Sequence, residues 1–422
     1  MIKKSKTLIL YLMITSVSLS MLPSCARQKE PTSSPDVPVF NPTPSPTIAP
    51  TATSISTATV APSPTATATA AALPSQTPAM APAIEPLRVN LLQSIPVGKE
   101  RSIFSAMDDQ YIYWIRQKDP ANMFRMPLNG GTAQKVITTK YAQGSIEFLT
   151  YPILTDHWVI FGDTPNDRSL KDWIIRAVNT DNFSEKIILQ SIDNSIAILD
   201  FSMDADEGIL IWSQQAIKSG KFAEDMVLKM DLNQGTSSEL FRAEGDQAPW
   251  AMVKISKGRV VAEQDQLNST GADNNIYYFD PTQKQPLPLT ANGQSSMPGF
   301  SYPWVIWKSA PRFEFGQKIT IHNLENGQEW VLPLLSVSNQ DPKINGHFVY
   351  WTGASSEDRK SYTAYIYNIL NQTTYRLPPA ENRYVKNVVI HGQMIAWLRI
   401  ENFQLADSDA YLEWGILDNS IN

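Results

Sequence analysis

The sequence predicts an all-β fold, a seven-bladed β-propeller of four-stranded blades, and three observations support this prediction. An apolar segment that usually ends in an aromatic residue recurs at intervals of 44 to 51 residues, which is the length of one four-stranded blade. Between the copies, apolar and polar residues alternate with a period of two, and the gaps contain Asn and Gly, as in β-hairpins. The repeats show no sustained helical period.

Seven copies of this segment define the predicted blades. They span residues 111–114, 158–161, 209–212, 260–263, 304–307, 348–351 and 394–397. Five copies end in Trp and one ends in Phe, whereas the fourth ends in Glu263. The aromatic residues at this shared position are predicted to form the core between neighbouring sheets.

The two ends of the repeat region predict how the ring closes. The seventh repeat stops at its third strand, residues 411–418, and residues 87–96 precede the first repeat without a blade of their own. We therefore expect residues 87–96 to form the outer strand of the seventh blade, in a propeller domain that covers residues 86–422. Closure of this kind also protects sheet edges that would otherwise favour aggregation.

Turn residues precede several of the apolar segments. Asp, Asn or Gly residues occur in this place at 107–109, 204–208 and 345–346. In this respect the repeats resemble TolB-like and prolyl-oligopeptidase-type propellers, whose blades carry an aspartate–glycine turn before an apolar strand. The hydrolases of the second type need a separate α/β domain with a Gly-x-Ser-x-Gly motif. No such motif occurs in the 422 residues, which argues against protease activity of that type.

The amino terminus has the features of a secretory signal. Three lysines precede a largely apolar run over residues 8–22, which is too short for a comfortable bilayer span. The run ends in Leu22-Pro23-Ser24-Cys25, which resembles the lipobox of bacterial lipoproteins. The resemblance implies a signal peptide over residues 1–24 that is cleaved off, and a diacylglyceryl anchor, which palmitate labels, on the Cys25 sulfur. An ordinary signal peptide or signal anchor with an incidental cysteine is the alternative.

A disordered stalk is predicted between the anchor and the propeller, over residues 25–85. Residues 31–85 contain 12 of the 30 prolines, abundant Thr, Ser and Ala, and only two charged side chains. Such a segment buries too little apolar surface to offset its ordering entropy, and proline biases it toward extended structure. O-glycosylation of the threonines is an open alternative to an unmodified spacer.

Charge and cysteine content exclude several classes of function. The 35 basic residues include three lysines of the signal, so the mature chain has 32 basic and 41 acidic residues and a net charge of −9. No basic surface therefore favours nucleic acid, and membrane attachment depends on Cys25 rather than on anionic lipid. The single cysteine excludes an internal disulfide and a cysteine-based zinc site.

No set of residues predicts a metal, a cofactor or a catalytic centre. Four histidines fall at separate hairpin turns and are predicted to be surface or turn residues: His157, His322, His347 and His391. An acidic group that would suit calcium occupies a turn where Asp is favoured for backbone reasons: Asp204, Asp206 and Glu207. Four tryptophans outside the repeated position are candidates for sugar binding, although packing is the favoured interpretation: Trp173, Trp250, Trp330 and Trp414.

Glu263 and one face of the propeller are the remaining candidate features. A buried carboxylate in an aromatic position needs a polar partner and can mark a functional site. The favoured interpretation instead places Glu263 in an exposed position beside a loop. The loops between second and third strands share one side of the ring with the connections between blades, and they include residues 213–225, 353–361 and 400–410. We call this side the loop face and predict it as the binding surface.

These observations predict a lipid-anchored, monomeric propeller on the extracytoplasmic side of a bacterial cell membrane. It is expected to act as a non-enzymatic binding or scaffolding module for an envelope protein. The alternative is recognition or hydrolysis of a polysaccharide or peptidoglycan-like ligand in the central pocket, because a glycosidase needs only two suitably placed carboxylates. Two facing carboxylates beside exposed aromatic residues would favour this alternative.

Overall fold

β-Strands make up the secondary structure of the residues that the computed structural model describes. These residues are 84–99, 103–116, 119–140, 147–149, 152–165, 173–191, 196–197, 202–218, 221–243, 250–268, 271–283, 285–309, 318–332, 339–354, 361–378, 383–402, 404–405, 407–418 and 421. They contain no α-helix, and therefore no helix long and apolar enough to cross a membrane. The predicted signal peptide, Cys25 and nearly all of the predicted stalk lie outside the described residues.

Two strands, β1 (Ile84–Pro86) and β2 (Val89–Gly98), precede five separate sheets. Sheet 1 contains β3 (Ile103–Met107), β4 (Tyr111–Arg116), β5 (Asp119–Pro127) and β6 (Gln134–Thr138). Sheet 2 contains β7 (Glu147–Leu149), β8 (Ile153–Thr155), β9 (Trp158–Pro165), β10 (Ile174–Asn179) and β11 (Glu185–Gln190). Sheet 3 contains β12 (Ile196–Ala197), β13 (Met203–Asp206), β14 (Ile209–Lys218), β15 (Lys221–Asp231) and β16 (Thr236–Arg242).

The next two sheets have four strands each. Sheet 4 contains β17 (Trp250–Ser256), β18 (Arg259–Asn268), β19 (Gly271–Phe279) and β20 (Leu287–Pro288). Sheet 5 contains β21 (Ser295–Ser301), β22 (Trp304–Ser309), β23 (Lys318–Asn323) and β24 (Glu329–Leu332).

The remaining strands form one nine-stranded sheet with two four-stranded halves. Half 6a contains β25 (Asn339–Asn345), β26 (Phe348–Ala354), β27 (Tyr362–Asn368) and β28 (Thr373–Arg376). Half 6b contains β29 (Tyr384–His391), β30 (Met394–Ile400), β31 (Ala410–Leu417) and, as its outermost strand, β2. A single parallel bridge from Tyr362 to Tyr384 joins the halves. The short β1, which includes the last two residues of the predicted stalk, pairs in parallel with β28.

The pairing of β2 with β31 joins the two ends of the described chain in one sheet. The strands are antiparallel, from Val89 opposite Leu417 to Gly98 opposite Ala410. Glu413 of β31 accepts three hydrogen bonds, one from β2 and two from β30. Its Oε1 accepts from Ser94 Oγ of β2 at 3.0 Å and from Arg399 Nε at 2.9 Å, and its Oε2 accepts from Trp397 Nε1 at 2.8 Å.

The first strands of the sheets contact one another in chain order. Strand β8 contacts β3 and β13, β17 contacts β13 and β21, and β21 contacts β25. Strand β29 contacts both β26 and β3, so the last half-sheet lies beside the first sheet. Four-stranded units in this circular order are the arrangement expected of a β-propeller.

Side-chain oxygens on or beside these first strands accept hydrogen bonds from backbone amides of the following sheet. Asp204 and Asp206 on β13 accept hydrogen bonds from the backbone amides of Ile255 at 3.0 Å and Lys257 at 2.6 Å. Equivalent bonds run from Val253 N to Ser202 Oγ, from Tyr302 N to Ser256 Oγ and from Gly346 N to Ser301 Oγ. Unpaired buried amides are costly, so these hydrogen bonds stabilise the seams between sheets. Asp204 and Asp206 thus act on the next sheet as well as near their turn.

The repeated aromatic residues pack between the sheets. Six side chains at the shared position are buried: Trp114, Phe161, Trp212, Trp307, Trp351 and Trp397. Trp114 of sheet 1, for example, packs in one cluster with Leu412 and Trp414 of half 6b. The core is therefore divided among the seams, as the sequence repeat predicts.

A buried charged cluster links sheets 1 and 2. Arg176, whose side chain is 1% exposed, binds Asp163 at 2.6 Å, Glu185 at 2.8 Å and the carbonyl oxygen of Thr138 at 3.0 Å. Asp163 is fully buried and also accepts from Thr139 Oγ1 at 2.5 Å and from the Lys140 amide at 3.0 Å. Burial alone would raise the pKa of Glu185, but hydrogen bonds from Arg176 and Lys140 lower it overall. The cluster thus stabilises the segment that leads from β6 toward sheet 2.

Candidate functional site

Two buried carboxylates approach the first two residues of β17 from different directions. Asp225, near the loop-face end of β15, binds the backbone amide of Trp250. Glu263 on β18 lies opposite Ala251 in the strand register. Directly opposed residues in an antiparallel pair have Cα atoms about 4.5–5.5 Å apart. The two acids therefore flank β17 from two sides, with Asp225 on the side of sheet 3 and Glu263 on the side of sheet 5, and we call them the β17 acid pair.

Asp225 is held in a setting that favours its protonated form. The residue is 7% exposed, its Oδ2 accepts from the Trp250 amide, and its Oδ1 has no partner among the described residues. Burial raises the pKa of Asp225 to about 7, although the amides of Trp250 and Met226 act in the opposite direction. A carboxyl group that titrates near neutral pH can donate or accept a proton during catalysis.

Glu263 differs from Asp225 because two N–H donors face its carboxylate. The residue is fully buried, Asn274 Nδ2 donates to its Oε1, and the Met297 amide donates to its Oε2 at 2.7 Å. The expectation that Glu263 is exposed beside a loop is therefore wrong. The segment after it is a hairpin, in which β18 and β19 pair as far as Asn268 and Gly271, and this hairpin supplies Asn274.

A β-bulge directs the Met297 amide toward Glu263. The register of β21 shifts between Ser296 and Gly299, and Met297 has a φ of +56°. This left-handed conformation is uncommon for a residue other than glycine and costs on the order of 1–3 kcal/mol. The Met297–Glu263 hydrogen bond crosses from sheet 5 to sheet 4 and helps to offset that cost.

The acid pair has the chemical elements of proton transfer. One member has a pKa near neutral and a free carboxyl oxygen, and the other carries N–H donors that stabilise negative charge. Two carboxyl groups in contrasting environments can divide the roles of acid and base. Glu263 could be found from the sequence because it breaks the repeat, whereas Asp225 is only the last residue of a predicted loop.

The stability of the protein should depend on pH through Asp225. The pKa of Asp225 in the folded protein, about 7, lies above the ordinary aspartate pKa of 3.8, so the native state binds more protons between these values. The unfolding free energy should therefore fall, by about 2–4 kcal/mol, as the pH rises from 4 to 8. Asp225→Asn should remove this slope and should be more stable than the wild type at pH 8.

Urea unfolding at pH 5, 6, 7 and 8 tests this expectation. The difference between the wild type and Asp225→Asn isolates Asp225 from the histidines, which both proteins share. Asp231→Asn is the matched control, because Asp231 on the same strand accepts turn amides of Asn233 and Gln234. Parallel pH curves for the wild type and Asp225→Asn would contradict the expectation.

The histidines do not form a site with one another. His157 lies 3.1 Å from Asp181, His322 lies 3.3 Å from Glu329, and His391 lies 3.1 Å from Asp109. Burial lowers the pKa of His347. Within the described part of the chain, no three His, Cys, Asp or Glu side chains come together in a group suited to a metal.

The candidate tryptophans pack rather than line an open surface. Trp173, Trp250 and Trp414 are buried. Trp330 is half-buried and makes an edge contact with Trp304, with ring centroids 5.7 Å apart. These four side chains therefore offer no exposed stacking platform. Two shallow pockets of about 280 and 340 Å³, at the turn ends of sheets 3 and 1, include neither member of the acid pair.

No protein-family model matches the chain, and no curated protein matches its sequence. Solved structures do match. The β-propeller domain of the trilobed protease from Pyrococcus furiosus has a TM-score of 0.54 and 11% identity, over 76% of this chain and 97% of that chain. An oligogalacturonate lyase in complex with manganese has a TM-score of 0.53 and 12% identity, over 81% and 100%. Likeness at this identity shows the fold, and the chain is therefore a β-propeller.

A third match covers a smaller share of the matched protein. The acylaminoacyl peptidase of Pyrococcus horikoshii has a TM-score of 0.52 and 12% identity, over 77% of this chain and 54% of the peptidase. The match thus spans about half the length of that enzyme. The predicted resemblance to peptidase-type propellers is confirmed at the level of fold.

The comparisons correct the predicted function. A non-enzymatic binding or scaffolding module was expected, yet the matching propellers belong to a protease, a lyase and a peptidase. Both the scaffold prediction and the prediction that the chain is not an enzyme are contradicted by these neighbours. The buried acid pair, of which the sequence singled out only Glu263, agrees with the catalytic alternative.

Proposed function

We propose that the protein recognises and hydrolyses a polysaccharide or peptidoglycan-like glycan at the loop face of its propeller. The observation that carries this proposal is the β17 acid pair, two buried carboxylates in contrasting environments on the two sides of β17. Glycoside hydrolysis requires such a pair, one carboxyl group as the acid and one as the base or nucleophile.

The comparisons do not separate a glycan from a peptide as the substrate, because the match covers all of the oligogalacturonate lyase chain and 97% of the protease propeller domain. The sequence favours a glycan. The Gly-x-Ser-x-Gly motif of peptidase catalytic domains is absent from the sequence. The described residues lack a donor set for a metal such as the manganese of the lyase complex, so the proposed roles involve only side chains.

The two acids would divide the reaction between them. The Asp225 carboxyl group donates its proton to the glycosidic oxygen as the bond from that oxygen to the anomeric carbon breaks. The Glu263 carboxylate takes a proton from the water whose oxygen bonds to the anomeric carbon. Asp225 lies in the seam between sheets 3 and 4, and Glu263 lies in the seam between sheets 4 and 5. Because both side chains are buried, a glycan reaches the two acids only when both seams open at their loop-face ends.

Release of new reducing ends from peptidoglycan and from soluble polysaccharides tests the proposal. Asp225→Asn and Glu263→Gln should each lower the rate at least about 100-fold, since each removes one of two essential groups. Asp109→Asn is the matched control and should retain full activity. Asp109 is an exposed acid in the turn between β3 and β4, at the end of sheet 1 that lies away from the loop face. If the wild type neither hydrolyses nor binds any of these glycans, the proposal is rejected.

We also propose that the protein is anchored by Cys25 on the extracytoplasmic side of a bacterial membrane. The lipobox-like motif and the Pro-, Thr- and Ser-rich stalk support this location. For the fold, we propose a ring of seven blades. Sheets 1–5 and halves 6a and 6b supply seven units, and the contact of β29 with β3 brings the last unit beside the first.

The anchor is tested by metabolic labelling with palmitate. The wild type should incorporate the label and appear in the membrane fraction, whereas Cys25→Ala should remain unlabelled. Ser24→Ala, which keeps a small residue before the cysteine, is the control and should label normally. Equal labelling of the wild type and Cys25→Ala would contradict lipid attachment at this residue.

A further inference from the structure

Three buried side chains of sheets 3 and 4 have a polar atom without a hydrogen-bond partner among the described residues. These atoms are Asp225 Oδ1, Ser213 Oγ and Trp250 Nε1. Asp225 is 7% exposed, Trp250 is 2% exposed and Ser213 is fully buried. A buried polar atom without a partner loses its hydration and gains nothing in return, so these three atoms require an explanation.

The strand register turns Ser213 and Asp225 toward sheet 4. In the antiparallel pair of β14 and β15, Ser213 lies opposite Val227 and Asp225 lies opposite Gln215. Directly opposed residues share one face of a sheet, and so do residues two apart on one strand. Val227 packs in one cluster with Trp250 of sheet 4. The side chains of Ser213 and Asp225 therefore also enter the seam between sheets 3 and 4.

The same register places these two side chains close together without a direct hydrogen bond. Ser213 and Asp225 are diagonal neighbours across β14 and β15, a relation in which the Cα atoms are about 7–8 Å apart. Trp250 completes the group from sheet 4, because its backbone amide binds Asp225 Oδ2 and its indole ring packs in the same seam. One oxygen atom between Ser213 Oγ and Asp225 Oδ1 would bridge them.

The chemistry of the three atoms selects a neutral ligand that carries oxygen. The indole N–H only donates, an ionised carboxylate only accepts, and the serine hydroxyl does either. An anion would be repelled by the ionised Asp225, a cation would face the indole N–H, and an apolar group would leave all three atoms unsatisfied. A water molecule donates and accepts at once, and buried waters typically make about three hydrogen bonds.

We propose that Ser213, Asp225 and Trp250 form a buried site for one oxygen atom, which an ordered water supplies in the resting protein. Because Asp225 Oδ2 accepts from an amide, the proton of this carboxyl group resides on Oδ1, next to that water. A second role rests on the proposed function. The glycosidic oxygen of a glycan displaces the water to receive this proton, and Ser213 is then a substrate-binding residue.

Crystal structures of the full chain test the site. The wild type should show one density peak about 2.5–3.0 Å from both Ser213 Oγ and Asp225 Oδ1, and Ser213→Ala should lose this peak. Ser105→Ala is the matched control and should keep it. The Ser105 hydroxyl is also buried and without a described partner, but it lies in sheet 1. No peak in the wild type, or a peak that persists in Ser213→Ala, would overturn the site.

Co-crystals of the Glu263→Gln variant with chitotetraose test the second role. This variant should hydrolyse glycans slowly, and it keeps all three groups of the site. A sugar oxygen at the position of the peak supports substrate binding by Ser213, whereas an unchanged peak rejects that role and leaves the water site in place. Absence of glycan hydrolysis by the wild type would reject the proposed function without affecting the density peak.

Discussion

Deletion of residues 84–98 should abolish cooperative folding of the propeller. The deletion removes β1 and β2, and with β2 it removes the outermost strand of half 6b. It also removes the buried side chains of Leu87 and Val97 and the hydrogen bond from Ser94 to Glu413. Each buried aliphatic side chain contributes about 1.5–3 kcal/mol, and a whole domain is stable by only about 5–15 kcal/mol. The loss is therefore comparable with the total stability.

The long sequence separation of the two strands makes this deletion informative. Val89 pairs with Leu417, so the chain must fold over its whole described length before β2 can bind β31. The exposed edge of β31 would then be open to aggregation. Circular dichroism melting curves should show a broad transition or none at all for the deletion.

Deletion of residues 31–83 is the control for the same experiment. These residues precede β1, and the sequence predicts that they form a stalk without a core of its own. Their removal should shift the melting temperature by less than about 2 °C. Equal melting temperatures for the two deletions would contradict a structural role for β2.

The fold could be predicted largely because its repeat consists of large apolar residues at regular intervals. The seven repeated apolar segments lie in β4, β9, β14, β18, β22, β26 and β30, and six of the seven segments end in a buried aromatic side chain. A period of about 47 residues and an alternating pattern survive sequence divergence because each sheet must bury both of its faces. The β2 segment could be located for the same reason, as a strand without a sheet of its own.

The candidate site was much harder to predict from sequence. Asp225 is bound by the backbone amide of Trp250, the first residue of the next sheet. No local sequence pattern predicts such a contact between sheets 3 and 4. Glu263 did stand out, but whether it was buried depended on Asn274 from a neighbouring hairpin strand and on a bulge at Met297. Such bulges depend on backbone conformations that side-chain identity specifies only weakly.

Arg176→Met should cause the largest loss of stability from any single substitution considered for this protein. Arg176 and Asp163 are both buried, and their ion pair is 2.6 Å long. Methionine fills much of the same volume but leaves Asp163 without its cation. Removal of one partner from a buried ion pair typically costs about 3–5 kcal/mol, because the remaining charge stays desolvated.

A second variant and a control distinguish the effect of the unpaired Asp163 charge from the effect of lost packing. Adding Asp163→Leu to Arg176→Met removes the stranded charge and should recover part of the stability in urea unfolding. Arg242→Met is the control, because Arg242 is 40% exposed and pairs with Glu239 on the surface; its cost should stay below about 1 kcal/mol. If the double variant is no more stable than Arg176→Met, the loss comes from packing of the arginine side chain and not from its ion pair with Asp163, which joins β9 and β10 within sheet 2.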